Sequence, residues 1–173
     1  MWEAEPLRAL DGMTCLWAYE GLVKKIIKRA KYKRQYDLLK FLIHNSKFEI
    51  QGSPVVVPVP LHKNRLRERG FNQADIIAQA FASRHSLAFN SHLLCRIKDT
   101  GHQVGRTRAE RLIALKNAFI FNTEYLPAGR QGRVPNTVLL VDDVWTTGTT
   151  MRECYKVLKK AGVKKVYGLV LAR

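Results

Sequence analysis

Acidic residues are scarce in this sequence. Its 173 residues carry 14 Asp+Glu against 30 Lys+Arg, a formal charge of +16 with a pI near 10.1. So cationic a surface should attract polyanions: nucleic acid, acidic membrane or phosphorylated metabolites. Charge alone does not choose among them. Cysteine is also sparse. Cys15, Cys95 and Cys154 lie far apart and form no C-x-x-C pair, which argues against a disulfide framework or a zinc site and for reduced thiols. No uncharged apolar stretch approaches the ~20 residues of a membrane helix. The N-terminal MWEAEPLRALDG carries acids and lacks the basic region and apolar core of a signal peptide. A cytoplasmic protein without a membrane span is expected. Internal repeats and long low-complexity segments are missing too.

What is present is ordinary for a globular chain: 46% apolar and 25% charged residues, in a length that suits one domain with a proper core. Leu22, Val23, Ile26, Ile27 and Ala30 make one helical stripe, and Leu38, Leu39, Leu42 and Ile43 a second. The basic run Lys28 to Arg34 between them reads as a solvated face and turn, or as an anion-facing patch. Val55 to Val59 is short, β-branched and apolar, as a strand buried on both faces should be. Helical spacing returns over Asn72 to Ala82. His92 to Ile97 and Asn117 to Phe121 read as strands, Thr107 to Leu115 as a helix, and Pro127 to Pro135 as an exposed loop. Strand Thr137 to Val141, helix Thr149 to Ala161 and strand Val166 to Ala172 follow. Buried strands alternating with helices imply a mostly parallel three-layer α/β sheet, whose ligands bind beyond the strands' carboxyl ends.

The segment VLLVDDVWTTGTT, Val138 to Thr150, ends an apolar strand in two carboxylates and continues as threonines around one glycine. The first N–H groups of the following helix lack internal partners, and its dipole adds positive potential there. A phosphate dianion suits that nest, with Gly148 permitting close backbone approach and Thr146, Thr147, Thr149 and Thr150 donating hydroxyls. Asp142 and Asp143 can accept from a diol or hold hydrated Mg²⁺. Hydroxyls at one end and phosphate at the other describe a ribose 5-phosphate. A helix cap needs fewer hydroxyls than this. A Walker B strand would require G-x-x-x-x-G-K-[ST], and the nearest run, Gly101 to Thr107, has the wrong spacing and no lysine. A phosphoacceptor aspartate site would leave the threonine loop unexplained.

This segment resembles the phosphoribosyl-pyrophosphate (PRPP) motif of the type I phosphoribosyltransferases (PRTases). Within that superfamily the chain resembles the ComF-type proteins. The likeness runs through LDGMTCLWAYEGLVKKIIKRAKYKRQ, PVPLHKNRLRERGFNQA, QVGRTRAERLIALKNAF and the PRPP motif. ComF-like proteins often begin with a cysteine-rich zinc ribbon. This chain starts after where the ribbon would lie, and Cys15 alone cannot supply four zinc ligands.

The resemblance implies a type I PRTase fold, a mostly parallel central sheet flanked by helices with a mobile hood loop. Residues 1–50 would be an N-terminal helical segment packed on the core, and 51–173 one compact PRTase-like unit. Asp142 and Asp143 would face the ribose hydroxyls and hold Mg²⁺, directly or through water. Thr146, Thr147, Gly148, Thr149 and Thr150 would cradle the 5-phosphate. The loop Pro60 to Gly70, with Lys63, Arg65, Arg67 and Arg69, would hold pyrophosphate, chiefly through Arg65 and Arg69. The hood would be Gly101 to Arg111, where Gly105 to Thr107 resembles a triplet of amidophosphoribosyltransferases. That makes Arg106 a pyrophosphate ligand, with Lys116 beside it. His62 and His102 are ligand candidates or structural. The implied activity is Mg²⁺-dependent transfer of the phosphoribosyl group from PRPP to an unknown nitrogenous acceptor. The alternative is a non-catalytic competence protein that binds nucleic acid or a phosphoribosyl ligand. A second copy of the chain is a further candidate partner.

Overall fold

The computed structural model describes residues 10–33, 36–46, 52–100, 113–125 and 133–173. Its strands are β1 (Gly12–Trp17), β2 (Val55–Pro58), β3 (Leu94–Arg96), β4 (Phe119–Phe121), β5 (Thr137–Val144) and β6 (Lys165–Ala172). Its helices are α1 (Gly21–Lys33), α2 (Asp37–His44), α3 (Lys63–Arg69), α4 (Gln73–Arg84) and α5 (Thr149–Lys160). Four strands form a parallel sheet in the order β1-β6-β5-β2, and β3 pairs antiparallel with β4 as a separate ribbon.

β5 shows why the sheet lies inside. Val138, Leu139, Leu140 and Val141 are all buried, and successive side chains point to opposite faces. Val138 and Leu140 join Val55, Val57, Met151, Leu158 and Val166 on one side. Leu139 and Val141 join Ile27, Leu39, Ile43, Ile77 and Phe81 on the other. The first layer is α5 with the β3–β4 ribbon; the second is α1, α2 and α4. Each fully buried Val, Leu or Ile contributes about 1.5–3 kcal/mol relative to exposure, so filling both faces commits this strand to the centre. Among the described residues, no helix is long and apolar enough to cross a membrane.

Three expectations change. The residues before 51 are not helical alone: Gly12–Trp17 forms β1, paired with β6 from Gly12↔Tyr167 to Trp17↔Ala172. This segment is therefore part of the central sheet. The stretch after β2, expected as a loop, contains a helix, α3. It forms because the His62 side chain accepts from Asn64 N at its start, and Gly70 ends it in the left-handed region at φ +79°. β5 outlasts its apolar run, pairing Asp142 with Val170 and Val144 with Ala172. Backbone pairing with β6 carries the strand through both acids.

Candidate functional site

The site lies at the carboxyl ends of β2 and β5. Asp142 Oδ1 accepts from Asp143 N at 2.8 Å, and Asp143 Oδ1 accepts from Val144 N at 2.7 Å. One oxygen of each carboxylate is thus held against the backbone, which fixes both groups as half-buried, preoriented acceptors. They share a cleft of about 130 Å³ with Arg69, Gln73, Arg96 and Thr150. Asp142 also lines a second, polar hollow of about 30 Å³, walled by Trp145 and residues Thr146 to Thr150.

The loop beyond the acids is tightly built. Trp145 N donates to Ala172 O at 3.0 Å, tying the loop to the end of β6. Gly148 takes φ +69° at the start of α5. Thr147 Oγ1 and Thr149 Oγ1 are hydrogen-bonded at 2.9 Å. Arg152 donates through Nη1 to Thr147 O at 3.0 Å, and its guanidinium lies 5.8 Å from the Trp145 ring centroid. Helix start, hydroxyls and clamp all belong to one short segment.

The opposite wall comes from α3, α4 and β3. Arg69 Nη1 donates to Gln73 Oε1 at 2.9 Å. Asn72 Oδ1 accepts from Ala74 N at 3.2 Å, while its Nδ2 donates to Val59 O at 3.0 Å. The first turn of α4 is thereby pinned to the end of β2. Arg96 lies over the Phe119 ring at 5.7 Å and donates through Nη2 to Thr100 Oγ1. Burial pulls its guanidinium down from the ordinary arginine range. Arg65 adds to that shift, while Cys154, Asp99 and Asp142 oppose it.

The expected residues are thus brought together in part. Asp142, Asp143, Thr150 and Arg69 meet in the cleft, and Thr146, Thr147, Gly148 and Thr149 surround the adjoining hollow. Arg65 sits on α3 within electrostatic range of Arg96. Lys116 is exposed in the turn before β4, where its carbonyl accepts from Lys98 Nζ at 2.9 Å. His62 is buried as the cap of α3. Arg106 and His102 lie outside the described residues, as does the whole of the expected hood.

This chain is 31% identical over 172 residues to competence protein F of Haemophilus influenzae, across 94% of the chain and 73% of that protein. It belongs to the ComF family. Residues 116–173 match the phosphoribosyl transferase domain family, which places this ComF chain in the type I PRTase superfamily and gives its parallel α/β sheet that fold. A second ComF relative, DNA utilization protein YhgH of Salmonella typhi, is 36% identical over 118 residues. The match covers 68% of this chain and 48% of the relative. Among solved structures, the allosteric regulatory enzyme of purine biosynthesis aligns at 20% identity and a TM-score of 0.45, over 78% of this chain and 24% of the enzyme.

Sequence reasoning missed Gln73, Arg96 and Arg152 as members of this ComF site. For Arg96 a signal existed, since a lone charge closes the otherwise apolar strand Leu94–Arg96. Gln73 stands in the RGFNQ run, but nothing local distinguishes it from a solvated helix residue.

Proposed function

We propose that this protein binds PRPP with Mg²⁺ and transfers its phosphoribosyl group to a nitrogenous acceptor. One observation carries the reading. Two preoriented carboxylates at the end of a central parallel strand abut a Thr/Gly loop that opens α5. In this reading Asp142 and Asp143 accept hydrogen bonds from the ribose hydroxyls. Thr146 to Thr150, with the first backbone N–H groups of α5, hold the 5-phosphate. The bond from ribose C1 to the pyrophosphate oxygen breaks, the electron pair leaves with pyrophosphate, and the acceptor nitrogen attacks the resulting oxocarbenium-like centre. Arg69, and Arg106 by resemblance, stabilise the departing charge.

The donor set suits Mg²⁺. Among the described residues no three His, Cys, Asp or Glu gather into a cage, but this ion is commonly held by one or two carboxylates, waters and substrate phosphates. Asp142 and Asp143 would hold it, and it would supply charge neutralisation on the pyrophosphate. The test is thermal unfolding with and without PRPP and Mg²⁺. A ligand at ~100 times its Kd adds roughly 2.7 kcal/mol. The expected result is a shift of several degrees in wild type that vanishes when Asp142 and Asp143 are both replaced by Asn. A double mutant that binds PRPP like wild type would rule the site out.

A second reading, nucleic-acid binding, is favoured by the solvent face of α1, which exposes Lys24, Lys25, Lys28 and Arg29. Contacts to several phosphates would weaken steeply with salt. Single-stranded DNA affinity measured at rising salt, in wild type and with these four residues neutralised, tests it independently of the cleft.

A further inference from the structure

A larger recess lies between β4 and α5. It measures about 460 Å³ and shares no lining residue with the cleft or the threonine hollow. α5 presents Glu153, Lys156, Val157, Lys160 and Ala161 to it, spaced so that they form one helix face. From β4 come Phe119 and Phe121, which pack towards the core, and Ile120, which is 44% exposed on the opposite face. Side chains from both faces of the strand therefore border the recess. The groove follows the edge of β4.

That edge is open. β3 takes the other side of β4, with Ile97 N donating to Ala118 O and Asn122 N to Leu93 O, each at 2.9 Å. Backbone directions alternate along a strand, so Ala118, Ile120 and Asn122 aim their hydrogen-bonding groups at β3. Phe119 and Phe121 aim their N–H and C=O groups the opposite way. Among the described residues no strand pairs there, because the ribbon consists of β3 and β4 alone. Such an edge is a template for another extended chain.

Charge selects the occupant. Lys156 and Lys160 stand on the α5 wall, and Lys98 adjoins the lining residue Ile97 at the other end. The single acid of the lining, Glu153, is buried and already holds Lys156 at 2.6 Å. A second copy of this chain is poorly matched, since its own charge is +16. Nucleic acid would meet the lysines but leave Ile97, Ile120 and Val157 uncovered, and its phosphodiester groups donate nothing to the strand's carbonyls. An extended peptide that carries both apolar and carboxylate side chains meets the apolar floor, the lysine rim and the open backbone together.

We propose that the open edge of β4 and the facing side of α5 form a docking groove for an extended, acidic segment of a partner protein, which adds a third strand to the β3–β4 ribbon. Its backbone pairs with Phe119 and Phe121. Its apolar side chains cover Ile120 and Val157, and its carboxylates meet Lys156 and Lys160. The three residues of β4 span about 10 Å, so roughly three partner residues pair in register. The groove stands independently of the phosphoribosyl reading.

The test is residue-resolved amide hydrogen exchange of the full chain with a short synthetic peptide of alternating valine and glutamate. Binding should slow exchange at Phe119 and Phe121 by about tenfold or more, with Ile120 and Asn122, already paired to β3, changing least. A peptide of alternating valine and lysine should leave all four unchanged. Ile120→Glu and Lys160→Glu, both at exposed positions, should each raise the Kd of the valine–glutamate peptide about tenfold. Circular dichroism establishes that the variants are folded; if Ile120→Glu is not, Lys160→Glu decides on the same criterion. No binding of the valine–glutamate peptide, equal binding of the valine–lysine peptide, or protection away from β4 overturns the proposal. So does protection by single-stranded DNA to the same degree. Protection of Phe119 and Phe121 that grows with protein concentration alone also overturns it, by assigning the edge to a second copy.

Discussion

The indole of Trp145 occupies the space that any side chain at position 148 would need. A methyl group there would lie 2.2 Å from Trp145 Cζ2, and Gly148 already sits at φ +69°. Crowding and backbone strain therefore act together. Gly148→Ala should destabilise the fold by about 1–3 kcal/mol and weaken ribose 5-phosphate binding. Adding Trp145→Ala relieves the crowding but not the strain. Denaturant midpoints for the two single variants and the double variant would show partial recovery if the contact matters, and simple additivity if it does not.

Arg152 is a positioning residue for the same loop. It joins the Thr147 carbonyl to the Trp145 ring from the first turns of α5. Arg152→Ala should lower stability by about 1 kcal/mol and reduce ribose 5-phosphate affinity. Lysine keeps the charge but lacks the planar group that meets both partners. Arg152→Lys should therefore restore little of the affinity; full rescue would mean the charge acts directly on the phosphate.

Cys154 is fully buried beneath the site. Burial pushes its thiol well up, and the negative charges of Asp142 and Glu153 push further while Arg96 opposes them. A thiolate is the reactive form. In the native protein at pH 8, Ellman's reagent should titrate Cys15 and Cys95 but not Cys154, which should appear only on unfolding. A third fast thiol would mean that the core around Cys154 opens readily.

Asp75 carries a pH signature. Half-burial in the first turn of α4 raises its carboxyl pKa, with the His92 charge opposing. A helix N-terminus favours an acid by roughly 0.3–1 kcal/mol, yet the net direction is upward, so desolvation wins. The folded state then holds its proton more tightly than the unfolded state. The stabilisation is complete below the unfolded carboxyl pKa, near ~3.9, and is lost as pH rises through the folded value. Asp75→Asn should accordingly raise the melting temperature at pH 7, with the advantage shrinking towards pH 3. An advantage independent of pH would point away from ionisation.

Much of this arrangement was legible in the residues, and the exceptions share a cause. β2, β5 and β6 stand out because burial on both faces leaves unbroken apolar runs. β1 does not, because it pairs on one side only and Met13 alone of GMTCLW is buried. α3 has no buried residues, so no apolar period marks it; its two ends make it a helix. The acids and threonines of the site are consecutive and could be read together. Gln73 and Arg96 come from separate elements, and only the folded chain brings them to one cleft.

The sheet order β1-β6-β5-β2 places the strand made last between two made earlier. During synthesis, β1 therefore has no neighbour in the sheet and β5 has one open edge until residues Lys165–Ala172 emerge. The loop that contains the acids and threonines is anchored by Trp145 N to Ala172 O, so it too awaits that strand. Assembly of this sheet cannot be completed before residues Lys165–Ala172 are available, and the open edges of β1 and β5 are what a nascent-chain chaperone would have to shield.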